Sequence, residues 1–277
     1  MPSSVLITGV TSGIGRAAAI RFAQIGFRVI GTGRSSRNAR SLQSRLNAFP
    51  EPVSGRHRIV VCDQSSLSAV RNLAQRVVAE RIPLHALVAN AGIQPQKRSV
   101  TGDGIESTIA VNHLAHFVLA RELAPALREA SGRIIVTSSS SHPDGRLDSD
   151  DLELSRGWTP EGAYGRSKRA NIMFAADVRG RLGLPASAFH PGDIRTSINR
   201  ETPFVRLTKP LEFVKYAHPS RGVDTLEWLV TTAEGAAPSA AYYADRAPAE
   251  THPDVSDESK RAWLWDESAR LVDGVLE

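Results

Sequence analysis

The chain has 277 residues, of which 41% are hydrophobic and 23% charged, fractions typical of a soluble globular protein that can bury a sizeable core. The formal net charge is +5, but the basic residues are scattered and form no block of about five, which argues against a nucleic-acid partner. No apolar run approaches the roughly 18 residues of a membrane span, no secretory signal is evident, and Cys62 is the only cysteine, so we expect a cytoplasmic protein without an intrachain disulfide.

Short apolar runs predict about seven β-strands. In chain order they lie at residues 5–8, 28–32, 58–62, 84–89, 133–138, 186–190 and 240–244. Amphipathic segments between them predict helices, for example at residues 14–25, 67–80, 105–128 and 164–181. Nearly continuous apolar strands joined by helical crossovers indicate a doubly wound parallel α/β sheet with helices on both faces. We interpret residues 1–277 as a single domain, with an irregular substrate flap at about residues 193–218.

The first strand is followed by the glycine-rich turn "ITGVTSGIG", which opens the first predicted helix. Gly9, Gly13 and Gly15 would let the backbone turn tightly and approach a pyrophosphate, whose charge the helix N-terminus favours. The spacing is G-x-x-x-G-x-G rather than G-x-G-x-x-G, and an ordinary strand-to-helix loop is the alternative. Its place after the first strand of an α/β pattern favours dinucleotide binding.

The end of the second strand bears on which dinucleotide binds. An NAD site uses a carboxylate there to hold the ribose 2′-hydroxyl, but this segment reads "GTGRSSRNAR". Arg34, Ser35 and Arg37 could instead hold a 2′-phosphate through charge-assisted hydrogen bonds. The alternative is that these arginines only face solvent. We predict NADP(H) rather than NAD(H).

A pair of residues four apart suggests the chemistry. Tyr164 and Lys168 lie in the first turns of a predicted helix, after a strand that ends in four serines. Free tyrosine titrates near pH 10, and a cation one helical turn away is expected to lower that pKa toward the working range of a general acid. The alternative is an aromatic residue at a helix start beside a solvated lysine.

Six motifs in order make the chain resemble the short-chain dehydrogenase/reductase family, from the first strand to about residue 243. They are "TGVTSGIG" (8–15), "NAG" (90–92), "VNH" (111–113), "IIVTSSS" (134–140), "YGRSK" (164–168) and "HPGDIRT" (190–196). The segments "DGIESTIAVNHLAHFVL" and "YGRSKRANIMFAADVRGRL" resemble its retinol-dehydrogenase-like branch. The resemblance implies a Rossmann fold and a reaction that transfers hydride to or from a nicotinamide.

The resemblance also implies roles for individual residues. Tyr164 would be the general acid/base, and Lys168 would tune it and hold the nicotinamide ribose. Ser139 aligns with the residue that binds the substrate oxygen; Ser138 is the nearest competitor, because alternate residues of a strand point to opposite faces. Asn112 matches a residue that helps hold a relay water, although it could be a polar residue with a local bond inside a helix.

Further cofactor contacts follow from the same resemblance. Asp63 would meet the adenine, and Asn90 would tie two strands together and line the cleft. The full set of predicted cofactor contacts is Gly9, Thr11, Ser12, Gly13, Ile14, Gly15, Arg34, Ser35, Asp63, Gln64, Asn90, Ala91, Gly92, Tyr164, Lys168, Pro191, Gly192, Ile194 and Thr196.

These residues predict an NADP(H)-dependent oxidoreductase that interconverts a carbonyl and an alcohol on a small, largely apolar substrate. The alternatives are a non-catalytic dinucleotide sensor and a related reductase of carbon–carbon double bonds. His113 and His116 are three apart, but no third ligand at a telling spacing accompanies them, so we predict no metal site. We expect a small-molecule substrate, no membrane partner, and possible assembly into a dimer or tetramer.

Overall fold

The computed structural model describes residues 4–52, 55–192 and 221–277, and within them the strands form one eight-stranded sheet in the order β3-β2-β1-β4-β5-β6-β7-β8. The strands are β1 (Ser4–Ile7), β2 (Arg28–Gly33), β3 (Arg58–Val61), β4 (Leu84–Ala89), β5 (Arg133–Thr137), β6 (Ala186–Phe189), β7 (Tyr242–Ala244) and β8 (Ala247–Pro248). All neighbouring pairs are parallel except β7 and β8, which form an antiparallel hairpin.

Helices connect the strands and cover both faces of the sheet. They are α1 (Gly13–Gln24), α2 (Ser36–Leu46), α3 (Leu67–Ala79), α4 (Ser107–Ile109), α5 (Ala115–Glu129), α6 (Pro160–Leu182), α7 (Asp224–Thr231), α8 (Ala233–Ala236) and α9 (Glu258–Leu276). Short 3₁₀ turns occupy His142–Asp144, Arg221–Val223 and Pro253–Val255. The doubly wound α/β class predicted from the sequence is confirmed, with a β8 hairpin that the apolar pattern did not predict.

The core divides into two apolar clusters, because the central strands are buried on both faces. Residues that alternate along β1 show the division: Val5 and Ile7 belong to one cluster, and Leu6 to the other. All three side chains are fully buried. This is the burial expected of a parallel sheet covered by helices, and it explains why the strands read as nearly continuous apolar runs.

The predicted helix at residues 105–128 is a broken one. Between α4 and α5 the chain makes a π-helical turn at Ala110–Leu114, which contains Asn112. π-Helical turns are rare in proteins, and those that occur often lie at functional sites. Pro125 is tolerated inside α5 without ending it.

The C-terminal helix α9 was not predicted, and it packs across α3, α5 and α6. Trp265 of α9 stacks on Phe174 of α6 at a centroid distance of 5.8 Å and meets the ring of Phe117 of α5 edge-on at 4.9 Å. His113 Nε2 lies 2.9 Å from the Ser268 hydroxyl of α9. Helix α9 therefore closes one side of the domain.

The strand order indicates at which edge of the sheet a ligand would bind. Strand β1 lies between β2 and β4, so the chain reverses its direction of winding there. In open α/β sheets this switch point leaves a crevice at the carboxyl ends of the strands, where ligands bind. Three segments lie at this edge, namely the glycine turn after β1, the arginine turn after β2 and the serine cluster after β5.

Candidate active site

The last glycine of the turn, Gly15, is packed too closely against the backbone for a side chain. A Cβ atom on Gly15 would lie 2.4 Å from the carbonyl oxygen of Gly9 and 2.7 Å from Asn90 Nδ2. Gly9 and Gly13 have φ angles of 74° and 53°, which favour glycine. Helix α1 begins at Gly13 and has no acidic residue in its first turn, so its N-terminus suits an anion.

A hydroxyl and an amide join the carboxyl ends of three neighbouring strands. Thr8 Oγ1 accepts hydrogen bonds from the backbone N–H groups of Asn90 and Ala91, both at 2.8 Å, and Asn90 Nδ2 donates to the Thr8 carbonyl at 2.9 Å. Thr137 Oγ1 donates to Asn90 Oδ1 at 3.3 Å. The tie expected of Asn90 is therefore present, and it extends from β1 through β4 to β5.

A side chain at the end of β2 would meet the side chain of Thr11. A Cβ atom on Gly33 would lie 2.3 Å from Thr11 Cγ2 and 2.8 Å from Thr11 Oγ1. Arg34 follows as an exposed side chain, and Ser35 caps α2 by accepting a hydrogen bond from the Asn38 N–H at 3.2 Å. The N-terminus of α2, Arg34 and Arg37 thus share one short turn.

Tyr164 and Lys168 lie on one face of α6, and the Lys168 ammonium is 5.3 Å from the centroid of the Tyr164 ring. Lys168 is 1% exposed and its Nζ donates to the Thr137 carbonyl at 3.0 Å. Burial lowers the pKa of Lys168 to about 8, so the amine is close to its titration point at physiological pH.

The expected lowering of the tyrosine pKa is wrong. Burial raises the pKa of Tyr164 to about 12, and the hydrogen bond with the Ser139 side chain offsets only part of that rise. The reason is that burial makes the phenolate costly, and this cost outweighs the effect of the Ser139 side chain. Tyr164 is therefore a neutral phenol at pH 7, a state that can donate a proton.

The structure separates the two serines at the end of β5. Ser138 is 1% exposed, and its hydroxyl donates to the Lys168 carbonyl at 2.9 Å. Ser139 is half-buried, and its side chain interacts with the Tyr164 phenol and offsets part of the rise in that group's pKa. Of the two, Ser139 is the one beside the phenol.

Asn112 braces the loop after β4 against α6. Its Oδ1 accepts from the Ile93 N–H at 2.7 Å, and its Nδ2 donates to the Ile93 carbonyl at 3.0 Å and to the Ser167 hydroxyl at 2.9 Å. A Cβ atom on Gly92 would lie 3.4 Å from Asn112 Oδ1 and 3.6 Å from Lys168 Nζ. The amide and the ammonium therefore converge on one glycine.

The remaining predicted cofactor residues lie along the same edge with different environments. The exposed Asp63 carboxylate accepts from the N–H and the hydroxyl of Ser65, whereas the buried Gln64 amide points to Cys62 Sγ at 3.8 Å. Pro191 and Gly192 follow β6, and Gly192 has a φ angle of 83°. Ile194, Thr196 and the predicted flap at residues 193–218 lie outside the described residues.

The two histidines of the π turn and α5 are buried among helices. His113 Nδ1 lies 3.3 Å from Asn171 Oδ1, and burial lowers its pKa to about 4. Burial likewise lowers the pKa of His116 to about 3. Within residues 4–52, 55–192 and 221–277, no group of three or more His, Cys, Asp or Glu side chains could hold a metal ion. The helices described here include none with both the length and the hydrophobicity of a membrane span.

Sequence reasoning missed several residues that shape the site. Thr8 and Thr137 carry the hydroxyls that join the strand ends, and a polar residue at the end of a buried strand is the signal that could have found them. His142 and Arg169 hold the serine loop, but they do so through backbone carbonyls, which leave no pattern in the sequence.

Comparisons with known proteins agree with this geometry. A protein-family model described as short chain dehydrogenase matches residues 3–203. The chain is 38% identical over 272 residues to DnrU of Streptomyces sp. (strain C5), a candidate daunorubicin C-13 ketoreductase, covering 97% of this chain and 92% of that one. It is 35% identical over 288 residues to retinol dehydrogenase 14 of Homo sapiens, covering 97% and 86%. A solved short chain dehydrogenase from Burkholderia cenocepacia J2315 in complex with NADP matches with a TM-score of 0.66 and 26% identity, covering 87% and 95%.

Proposed function

The chain belongs to the short-chain dehydrogenase family, a family of oxidoreductases acting on alcohol and carbonyl groups, and on that premise we propose that it reduces a ketone or aldehyde with NADPH, Tyr164 serving as the proton donor. The single observation that carries this proposal is the convergence of three polar groups at one strand edge. The Ser139 side chain interacts with the Tyr164 phenol and offsets part of the rise in its pKa, and the Lys168 ammonium lies 5.3 Å from the Tyr164 ring.

The residues of the glycine turn fit a nicotinamide dinucleotide. The close approach at Gly15 and the α1 N-terminus would hold the pyrophosphate, while Gly92 leaves open the space in front of Lys168. When bound, such a cofactor supplies the hydride that carbonyl reduction requires.

The protein's own groups would handle the proton and the oxygen. The Ser139 hydroxyl would donate a hydrogen bond to the substrate carbonyl and stabilise the charge that develops on its oxygen. Tyr164, neutral because burial raises its pKa to about 12, would give up its proton to that oxygen. The Lys168 ammonium would stabilise the phenolate that this transfer leaves behind, and Asn112 would keep the surrounding loop in place.

NADP(H) is favoured over NAD(H) by the turn after β2. A side chain at position 33 would meet the Thr11 side chain, so the carboxylate of an NAD site would require Thr11 to move. Arg34, Arg37 and the α2 N-terminus offer positive charge and N–H donors to a 2′-phosphate. The NADP complex of the Burkholderia enzyme is consistent with this choice.

The substrate is proposed to be a largely apolar carbonyl compound. The two relatives are named for a ketoreductase and a retinol dehydrogenase, and retinol is an apolar alcohol. The residues expected to form the substrate flap, at about residues 193–218, lie outside the described residues.

Tyr164→Phe tests the proposed function. The variant keeps the ring and removes the proton, so we expect NADPH to bind with a Kd within about twofold of wild type while turnover falls by at least about 10³-fold. The measurement is NADPH oxidation with a panel of aldehydes and ketones, together with fluorescence titration of NADPH. Near-wild-type turnover in the variant would overturn the role of Tyr164.

The same panel separates the alternatives. A dinucleotide sensor would bind NADPH but oxidise it with no substrate. A double-bond reductase would consume NADPH with an enone, and NMR of the product would show the carbonyl intact. The proposed function requires the product to be the alcohol.

A further inference from the structure

Helix α6 presents two pairs of residues, each spaced one turn apart, to two different partners. Tyr164 and Lys168 form the first pair and lie at the candidate active site. Gly165 and Arg169 form the second pair, one residue further along, and both contact the loop that begins at Ser139. One helix therefore contacts both the phenol and the segment that carries the serine.

Gly165 lets the loop rest directly on the helix backbone. A Cβ atom on Gly165 would lie 2.7 Å from the Ser141 carbonyl oxygen and 2.8 Å from the Gly145 nitrogen. A Cβ atom on Gly145 would lie only 1.9 Å from the backbone nitrogen of Arg166. The loop and α6 thus meet backbone to backbone, without side chains between them.

Arg169 lies one helical turn after Gly165 and binds the same loop through its side chain. Its side chain is buried, and three of its guanidinium nitrogens donate hydrogen bonds. Nε donates to the His142 carbonyl at 3.1 Å, and Nη2 donates to the Pro143 carbonyl at 2.6 Å. Nη1 donates to the Asp254 carboxylate at 2.7 Å. The planar fork of arginine suits this three-way contact, and a lysine ammonium cannot reproduce it.

His142 and Ser141, which belong to this loop, form hydrogen bonds with Ser139. The backbone N–H and the ring Nδ1 of His142 both donate to the Ser139 carbonyl, at 3.1 and 2.9 Å. The Ser141 N–H donates to the Ser139 hydroxyl oxygen at 3.2 Å. A displacement of His142 would therefore move both the backbone and the hydroxyl of Ser139.

The Asp254 carboxylate keeps the guanidinium paired. Burial alone would raise the pKa of Asp254, but hydrogen bonds from Lys260 and Arg169 outweigh it and hold that pKa below its ordinary value. Lys260 Nζ lies 2.5 Å from Asp254 Oδ1, and His252 Nδ1 lies 3.3 Å from Oδ2. The anchor thus comes from the segment after β8, far from the serine loop in sequence.

We propose that Arg169 is a positioning residue that fixes the Ser139 loop on α6, and so sets the Ser139 hydroxyl beside the Tyr164 phenol. The proposal rests on the proposed function, because it assigns Ser139 to the substrate oxygen. In this proposal Arg169 contacts neither substrate nor cofactor, and it sets the position of Ser139, which contacts the substrate.

Arg169→Lys and Asp177→Asn form a matched pair for the test. Asp177 lies on the same helix and accepts from Arg261 Nε at 2.6 Å, so its replacement breaks an ion pair between α6 and α9 that does not contact the serine loop. We expect Arg169→Lys to lower kcat about tenfold with the KM for NADPH unchanged, because small displacements of a catalytic group are costly. Asp177→Asn should leave kcat within about twofold of wild type.

A double-mutant cycle distinguishes positioning from general stability. If Arg169 acts through Ser139, Arg169→Lys should cost nothing further in a Ser139→Ala background. Losses that multiply in the double variant, or an unchanged kcat in Arg169→Lys, would overturn the proposal. Asp254→Asn should show the same dependence on Ser139, which keeps the test open if Arg169→Lys folds poorly.

Hydrogen exchange gives a readout that is independent of turnover. In Arg169→Lys the amides of Ser141 and His142 should exchange faster than in wild type, while those of β1 should be unchanged; equal rates in the loop would overturn the proposal. A wild-type protein without NADPH-dependent carbonyl reduction would instead remove the proposed function, and with it the claim that this loop position serves turnover. Active wild type, impaired Ser139→Ala and unaffected Arg169→Lys would reject only the role of Arg169.

Discussion

At the scale of single residues, the direction of a side chain decides what a hydroxyl can do. Ser138 and Ser139 are chemically identical neighbours, yet the hydroxyl of Ser138 donates to the Lys168 carbonyl and the side chain of Ser139 interacts with the Tyr164 phenol. Lys168 shows a related contrast, because its buried amine is held in a site that costs free energy to charge.

We expect the same substitution to alanine to affect kcat at Ser139 and stability at Ser138. Ser139→Ala should lower kcat by about 10²- to 10³-fold, the loss typical of an oxyanion donor, with little change in the free energy of unfolding. Ser138→Ala should keep kcat within a few-fold and lose about 1 kcal/mol of stability with its hydrogen bond. Steady-state kinetics and urea unfolding of both variants check this, and the reverse pattern would exchange their assignments.

Lys168→Met should make the cofactor-free protein more stable while abolishing turnover. The lysine pKa is about 8 when folded against 10.5 in the free side chain, so charging it in the folded state costs about 3 kcal/mol below pH 8. The unfolded chain holds more protons between these two values, so the wild-type protein recovers this stability as the pH rises from 8 toward 10.5.

Urea unfolding at pH 7 and at pH 9.5 measures the effect. The stability gain of Lys168→Met should be about 3 kcal/mol at pH 7 and clearly smaller at pH 9.5. The exposed Lys97 provides the control, because Lys97→Met should give no such dependence on pH. A variant less stable than wild type at pH 7 would show that burial of the amine is not costly.

At the scale of elements, the sequence pattern predicted what depends on local apolar periodicity and missed what does not. The seven predicted strands all occur, because buried strands read as apolar runs. Strand β8 has two exposed residues and therefore gives no apolar signal. The π turn around Asn112 has no local signature, and the role of Arg169 depends on Asp254, which is distant in sequence.

The junction of β2 and α2 predicts the cofactor preference. Wild type should show a lower KM for NADPH than for NADH. Arg34→Ala should raise the KM for NADPH by about 10- to 100-fold, because it removes one charge-assisted contact with the 2′-phosphate, and should leave the KM for NADH unchanged. Arg45→Ala removes the same charge at the other end of α2 and is the control. Equal KM values for the two cofactors in wild type would contradict the assignment.

At the scale of the whole molecule, buried neutral histidines connect stability to pH. His113 bridges α6 and α9, and His116 is enclosed in α5, so the fold holds both rings uncharged. Burial lowers their pKa values to about 4 and about 3, from an ordinary 6.5. The layer that α9 completes over α5 and α6 is therefore expected to lose stability in acid.

The sign of this dependence follows from proton uptake. Below pH 6.5 the unfolded chain binds a proton at each histidine that the folded chain does not, so stability is complete above pH 6.5 and is lost as the pH falls toward 4. His116→Met should reduce the slope of unfolding free energy by one proton, about 1.4 kcal/mol per pH unit between pH 5 and 6. Denaturant titrations across that window measure the slope. An unchanged slope would mean that His116 is protonated in the folded state.

The close contact between Gly33 and Thr11 bears on how this enzyme could change its coenzyme over evolutionary time. A single substitution that places an acid at position 33 would meet the Thr11 side chain before it could reach a ribose hydroxyl. A carboxylate at position 33 therefore requires the Thr11 side chain to move or to be replaced, so the effect of a change at position 33 depends on the residue at position 11.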